Sequence, residues 1–123
     1  MTQNNDRPTY GERNHVNRTT VRRFGNAGIV TSQLSNEISY SHVYDGGLIG
    51  NDDACVHADN SGTPCQPDPA TGAITINCTK NWHHNWVHDC REKCMRGDDF
   101  TFQLVAHHNV IFNCGMGRNC ARE

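Results

Sequence analysis

Four nine-residue segments of this chain superpose without gaps: VNRTTVRRF (16–24), ISYSHVYDG (38–46), WHHNWVHDC (82–90) and AHHNVIFNC (106–114). They begin 22, 44 and 24 residues apart. A sequence that repeats itself folds into units that repeat, so this self-similarity constrains the fold more than composition does. The sixth column reads Val21, Val43, Val87, Ile111, an apolar position in every copy. The fourth reads Thr19, Ser41, Asn85, Asn109, and the eighth Arg23, Asp45, Asp89, Asn113. The last two copies also share paired histidines, His83 with His107 and His84 with His108, and the cysteines Cys90 and Cys114.

A second block follows at a similar offset: AGIVTS (27–32), GLIGNDD (47–53) and KCMRGDD (93–99). Inside both blocks β-branched and aromatic residues alternate with polar ones, the period-two pattern of half-buried strands. No stretch carries a capped stripe of 3.6-residue period, so helix is expected to be scarce. A unit of 22 to 24 residues made of short strands and turns reads as one rung of a β-solenoid. Rungs stacked about 4.8 Å apart would bury the Val/Val/Val/Ile column that no single rung can bury alone. The 44-residue interval holds HADNSGTPCQPDPATGAITINCTKN (57–81), rich in Pro, Gly, Asn and Thr. That composition favours one rung with a long loop at about 58–78. An extra, irregular rung using AITINC (73–78) as a strand is the alternative.

The segments TKNWHHNWVHDCREKCMRGDD and LVAHHNVIFNCG resemble the right-handed parallel β-helix repeat proteins, whose rungs carry an Asn at a bend followed by an inward valine. The resemblance spans roughly residues 14–117, with 1–13 a polar N-terminal segment and 118–123 a C-terminal tail. It implies an all-β, right-handed parallel β-helix of about four to five rungs, a short or truncated version of the family. It also implies action on polysaccharides of the pectate or alginate lyase or polygalacturonase type. On that reading Lys93 serves as base and Arg96 as substrate clamp, with Asp98 and Asp99 alongside. The acid pairs Asp52–Asp53 and Asp98–Asp99 would fall in neighbouring rungs, where four carboxyls repel unless a cation or protons offset them. Hard oxygen ligands suit Ca²⁺. An inverting hydrolase would use the same carboxyls as acid and base at about 6.5–9.5 Å. Asp-rich turns that cap strands and stay solvated are the plainer alternative.

The outward column Arg22, Tyr44, His88, Phe112, with Thr20, His42, Trp86 and Val110 two residues earlier, would form an aromatic and polar face along the solenoid axis. Tyr44, Trp86, His88 and Phe112 are the candidate sugar contacts; the same strip also suits a subunit interface. The fourth column reads as a ladder of inward amides and hydroxyls. The histidines would stack, yet adjacent strand residues such as His83 and His84 should point to opposite sides, which disfavours convergence on a metal.

The seven cysteines favour disulfides and an oxidising setting, extracellular or periplasmic, with one thiol left over and the pairing open. Stacked Cys90 and Cys114 would lie within bonding reach, though parallel side chains in a stack give poor torsion geometry, and Cys55, Cys65 and Cys78 would tie down the loop. The net charge of −2 and the absence of a basic stripe argue against nucleic acid. No apolar run approaches the roughly 18 residues of a membrane span, and no signal peptide is visible. The leading expectation is a carbohydrate-active β-helix domain for an acidic polysaccharide. A self-assembling solenoid, joined through open ends or the aromatic face, is the rival class. A metal-binding His- and Cys-rich protein is the third.

Overall fold

The computed structural model describes residues 13–31, 35–49, 52, 54–59, 68–73, 78–98, 101 and 103–115. Eleven short strands are present and, among the described residues, no helix. They are β1 (Asn14–Asn17), β2 (Thr20–Arg22), β3 (Ile29–Thr31), β4 (Asn36–Ser39), β5 (His42–Gly46), β6 (Ala54–Asp59), β7 (Lys80–His83), β8 (Trp86–Cys90), β9 (Lys93–Asp98), β10 (Leu104–His107) and β11 (Val110–Cys114). Every third strand joins the same parallel sheet. Sheet 1 is β1-β4-β7-β10, sheet 2 is β2-β5-β8-β11 and sheet 3 is β3-β6-β9. The chain therefore winds through three sheets in turn, the arrangement of a β-solenoid.

The apolar column of the repeat is an in-register stack, Val21 on Val43 on Val87 on Ile111. Val43 and Val87 are fully buried, and Ile38, Val56 and Trp82 line the other walls of the core. Such a thin core suits a chain whose mean hydropathy is only −0.74. Lys80 is enclosed as well, and burial pushes its ammonium pKa down. Gly46 stands in the column of Cys90 and Cys114 because the Phe24 ring occupies its side-chain space; a Cβ there would come 1.9 Å from the ring.

The bends that turn the chain from sheet to sheet are made by residues in the left-handed region. Arg18, Tyr40, His84 and His108 (φ 49–55°) stand between sheets 1 and 2, and Arg23, Asp45, Asp89 and Asn113 (φ 51–55°) near the end of sheet 2. None of these is glycine, so each bend carries a backbone cost that something must hold in place. At the first bend the fourth column does so. Asn85 Nδ2 donates to the Ile38 carbonyl (2.8 Å) and Asn109 Oδ1 (3.1 Å), and Asn85 Oδ1 accepts from the Ser41 amide (3.0 Å). The Asn85 amide donates to Asn109 Oδ1 (2.9 Å), Asn109 Nδ2 donates to the Trp82 carbonyl (2.8 Å), and the Thr19 amide donates to Ser41 Oγ (3.3 Å). Side chains thus satisfy the backbone groups that the bend takes out of the sheets.

Two sequence expectations are corrected. The strand of sheet 3 in the second turn is not GLIGNDD but Ala54–Asp59, where Val56 pairs with Ile29 and Met95. Leu48 and Ile49 are exposed in the turn before it. Cys90 and Cys114 occupy one register position but bond elsewhere: Cys55 to Cys90 (Cα–Cα 6.0 Å) and Cys94 to Cys114 (5.4 Å). In-register side chains run parallel rather than converge, whereas these cysteines of sheets 2 and 3 bring their Cα atoms to 6.0 and 5.4 Å. Cys55 is thus a core staple rather than a loop tie, and Cys78 is disulfide-bonded too. Across the 44-residue interval β4 pairs directly with β7 and β5 with β8, and no strand stands between them among the described residues. Residues 74–77 of the alternative strand lie outside the described residues.

Asn85→Ala should cost about 2–3 kcal/mol, the penalty of leaving buried backbone partners unsatisfied. Asn109→Ala, at a less buried ladder position, should cost less. Urea unfolding of the two variants measures both, and equal losses would contradict the ladder's role.

Candidate functional site

The outer face of sheet 2 carries the predicted columns in register: His42 beside Trp86 and Val110, and Tyr44 beside His88 and Phe112. The rings stack on one another. Tyr44 and His88 lie 5.2 Å apart at 13°, His88 and Phe112 4.5 Å at 6°, and His42 and Trp86 4.7 Å at 12°. Arg22 Nη1 reaches the Tyr44 hydroxyl at 3.5 Å, extending the column by a cation. Rings stacked along the axis cover each other's faces and turn their edges outward. The face therefore offers imidazole, phenol and indole edges to a ligand, not broad π-surfaces.

Within this ladder lies a relay that the repeat alone did not reveal. His88 Nδ1 sits 2.7 Å from Asp89 Oδ2, and His88 Nε2 sits 2.7 Å from His42 Nε2. Asn113 Nδ2 donates to the other Asp89 oxygen. That contact, then His88, holds the Asp89 carboxyl below its usual range. Burial, then the charge on His88, pushes the His42 imidazole down. A carboxylate on one ring nitrogen fixes the tautomer and leaves the other nitrogen to accept or pass a proton. Neighbours in a strand should diverge, but the left-handed backbone of Asp89 (φ 51°) puts its carboxyl beside His88. An open cleft of about 270 Å³ next to it is lined by Gly46, Leu48, Asp89, Arg91 and Asn113.

The same backbone device gathers four of the remaining histidines at the bend between sheets 1 and 2. His84 (φ 55°) and His108 (φ 53°) do not point away from His83 and His107 but lie against them, with Nδ1–Nδ1 distances of 2.9 and 2.8 Å. This reverses the expectation that strand alternation separates them. His83 stacks on His107 (5.1 Å, 6°) and His84 on His108 (5.0 Å, 2°). Glu37 stands beside His83, Oε1 to Nε2 3.4 Å, and its carboxyl is held low by the Ser39 hydroxyl and by His15 and His83. Desolvation, then its histidine neighbours, pushes the His84 imidazole down.

The residues expected to do chemistry stand on sheet 3. Lys93 Nζ donates to Asp52 Oδ1 (2.6 Å); Arg96 spans Asp52 (3.0 Å) and Asp98 (2.5 Å). The Lys93 hydrogen bond, then Arg96, holds Asp52 below its normal carboxylate range. Asp98 pairs in register with Asp59, not with Asp52, so the two acid pairs are not equivalent turns. His57 Nε2 lies 3.6 Å from Asp98. Asp53 and Asp99 lie outside the described residues. Among the described residues, no group of three or more His, Cys, Asp or Glu is placed to share a metal ion. The expected sugar contacts Tyr44, Trp86, His88 and Phe112 are therefore brought together, while Lys93, Arg96 and Asp98 form an ion-pair cluster on another sheet.

The lowered groups give the pH dependence a sign. His42 and His84 have folded pKa values below the ordinary 6.5, so the unfolded chain takes up protons first. Their contribution is complete above pH 6.5 and is lost as the pH falls from there toward their folded values. Glu37, Asp52 and Asp89 contribute above their ordinary 4.5 and 3.8 and lose that contribution at lower pH still. The urea midpoint should fall in two steps on acidification, and His42→Gln should flatten the upper one. A midpoint unchanged from pH 7.5 to 5.5 would refute this. Comparison with known proteins finds no matching family model, no matching curated protein and no matching solved structure.

Proposed function

We propose that the chain is a right-handed parallel β-helix of four rungs that binds an acidic polysaccharide along the outer face of sheet 2. The observation that carries this is the polar-edged ring ladder, Arg22–Tyr44–His88–Phe112 beside His42–Trp86, repeating at strand spacing along the stacking axis. A linear polymer laid along that axis meets equivalent edges at each step. Its carboxylates and hydroxyls find the Arg22 guanidinium, the Tyr44 hydroxyl and the imidazole edges, giving charge-assisted hydrogen bonds rather than ring stacking. The resemblance to polysaccharide lyases and hydrolases supports the same substrate class. The disulfides fit an extracellular or periplasmic setting.

Cleavage, if the domain performs it, has two acid–base sets to draw on. The resemblance points to Lys93, Arg96, Asp98 and Asp99 with Ca²⁺ at the Asp52, Asp53, Asp98 and Asp99 carboxyls. A lysine acting as base must first leave its ion pair with Asp52. The Asp89–His88–His42 relay lies in the ladder itself, already holding a nitrogen able to exchange a proton. The rival reading, a self-assembling solenoid, rests on Ile111, which belongs to the inward apolar column yet is 38% exposed on the edge strand β11.

Titration calorimetry with polygalacturonate and alginate should show binding that a neutral glucan does not. Trp86→Ala and Arg22→Ala should each weaken it about tenfold, roughly the 1.4 kcal/mol of one lost charge-assisted contact. No heat with any polyuronate would end the proposal. Absorbance of unsaturated product, with and without Ca²⁺, separates binding from lyase action. Assembly in place of polysaccharide binding, seen by light scattering at rising concentration, would favour the solenoid reading.

A further inference from the structure

We propose that His83–His84 and His107–His108 are two equivalent chelates for a divalent transition metal of tetragonal preference, Cu²⁺ or Ni²⁺. Each pair presents two Nδ1 atoms, 2.9 Å apart in one and 2.8 Å in the other, from rings set nearly perpendicular (89° and 87°). With imidazole–metal bonds of about 2.0–2.1 Å, nitrogens so spaced subtend about 90° at the ion. That is the cis edge of a square-planar or octahedral centre; a tetrahedral ion would need the nitrogens roughly 3.3 Å apart. The bite angle selects Cu²⁺ or Ni²⁺ over tetrahedral Zn²⁺, and Cu²⁺ stands highest in intrinsic affinity.

The surroundings prepare the ligand atoms. Metal binding needs a bare Nδ1 on both rings, with any ring proton at Nε2. Glu37 Oε1, 3.4 Å from His83 Nε2, favours that tautomer at His83, as a carboxylate behind a metal-bound histidine does. Tyr40 stacks on His84 (4.9 Å, 18°), with Arg18 over its other side, so the His84 ring is held by packing. In the absence of metal, each Nδ1 pair shares one proton as a hydrogen bond, which a tautomer shift releases without net proton loss.

The count of ions follows from the spacing. Rings of successive turns stack 5.1 and 5.0 Å apart. An ion bonded at about 2 Å cannot take nitrogens from both turns, so each pair holds its own ion and water completes the coordination. That agrees with the absence, among the described residues, of any group of three such ligands. Because the left-handed residue recurs at every turn, the chelate is copied with the rung. Two ions would then lie along the bend about one rung apart.

The test is Cu²⁺ titration of the full chain after alkylation of free thiol, followed by electron paramagnetic resonance and calorimetry. Two ions per chain are expected, each with the superhyperfine pattern of two imidazole nitrogens. His84→Asn and His108→Asn each keep a residue that tolerates the left-handed backbone and should each remove one ion. The double variant should remove both, with circular dichroism reporting an unchanged fold. His57→Gln, on sheet 3, should leave the stoichiometry at two. Absence of binding at millimolar Cu²⁺, one four-nitrogen ion per chain, or two ions retained by the folded double variant would each overturn the proposal. None of these results bears on polysaccharide binding, which is measured without metal.

Discussion

Everything in this molecule depends on a backbone residue in the left-handed region being tolerated at the same place in every turn. Three-sheet winding needs sharp bends, and the left-handed conformation supplies them at a cost that glycine would largely avoid. Here Arg18, Tyr40, His84 and His108 bear it instead. The hydroxyl and amide ladder beside them makes the cost supportable, because Asn85 hydrogen-bonds to the turns before and after it and Asn109 to the turn before it. Turn geometry and turn stacking are thus one interaction. A rung cannot bend correctly without a neighbour on which to bend, which is how a thin apolar core can suffice.

The same residues decide where chemistry gathers. In an ordinary strand, consecutive side chains diverge, and contiguous polar residues such as HH or HD signal little. At a left-handed position they converge. That single change brings Asp89 to His88, His84 to His83 and His108 to His107. Functional groups adjacent in sequence become partners in space, and the repeat then multiplies each partnership along the axis. Non-glycine side chains at the bends are therefore what arm the surface. A solenoid with glycine at these positions would bend as well and offer nothing.

Much of the coil was legible in the chain because period and column are one-dimensional properties. The Val/Val/Val/Ile core, the Thr/Ser/Asn/Asn ladder and the outward aromatic column all follow from gapless alignment; the first and third are register pairs in the fold and the ladder is joined by hydrogen bonds. Where the turns differ in length, the alignment slips. GLIGNDD matches KCMRGDD by residue type, yet sheet 3 takes Ala54–Asp59 as its partner, because Val56 fits the apolar stack and the exposed Ile49 does not. The acid pairs thereby lost their equivalence, and Asp52 became a counter-ion for Lys93 and Arg96. Backbone sign is not written in a residue pattern either. His84 and Asp89 carry no mark that separates a strand from a bend, so their convergence with His83 and His88 emerges only once the chain is wound.

The two disulfides with both partners among the described residues are one bridge drawn twice. Cys55 lies over Cys94 and Cys90 over Cys114, so each links a strand of sheet 3 to a strand of sheet 2 one turn later. A spring clipped in this way cannot be uncoiled turn by turn from the clipped side: pulling on β11 loads Cys114–Cys94, then Cys90–Cys55, as links of a chain. Mechanical load entering at β11 thus travels through covalent bonds toward the middle of the coil. Load entering at β1 meets only hydrogen bonds and packing among the described residues of the first turn. Among the described residues the coil has a stiff end and a yielding end, and that polarity comes from where the cysteines fall in the repeat.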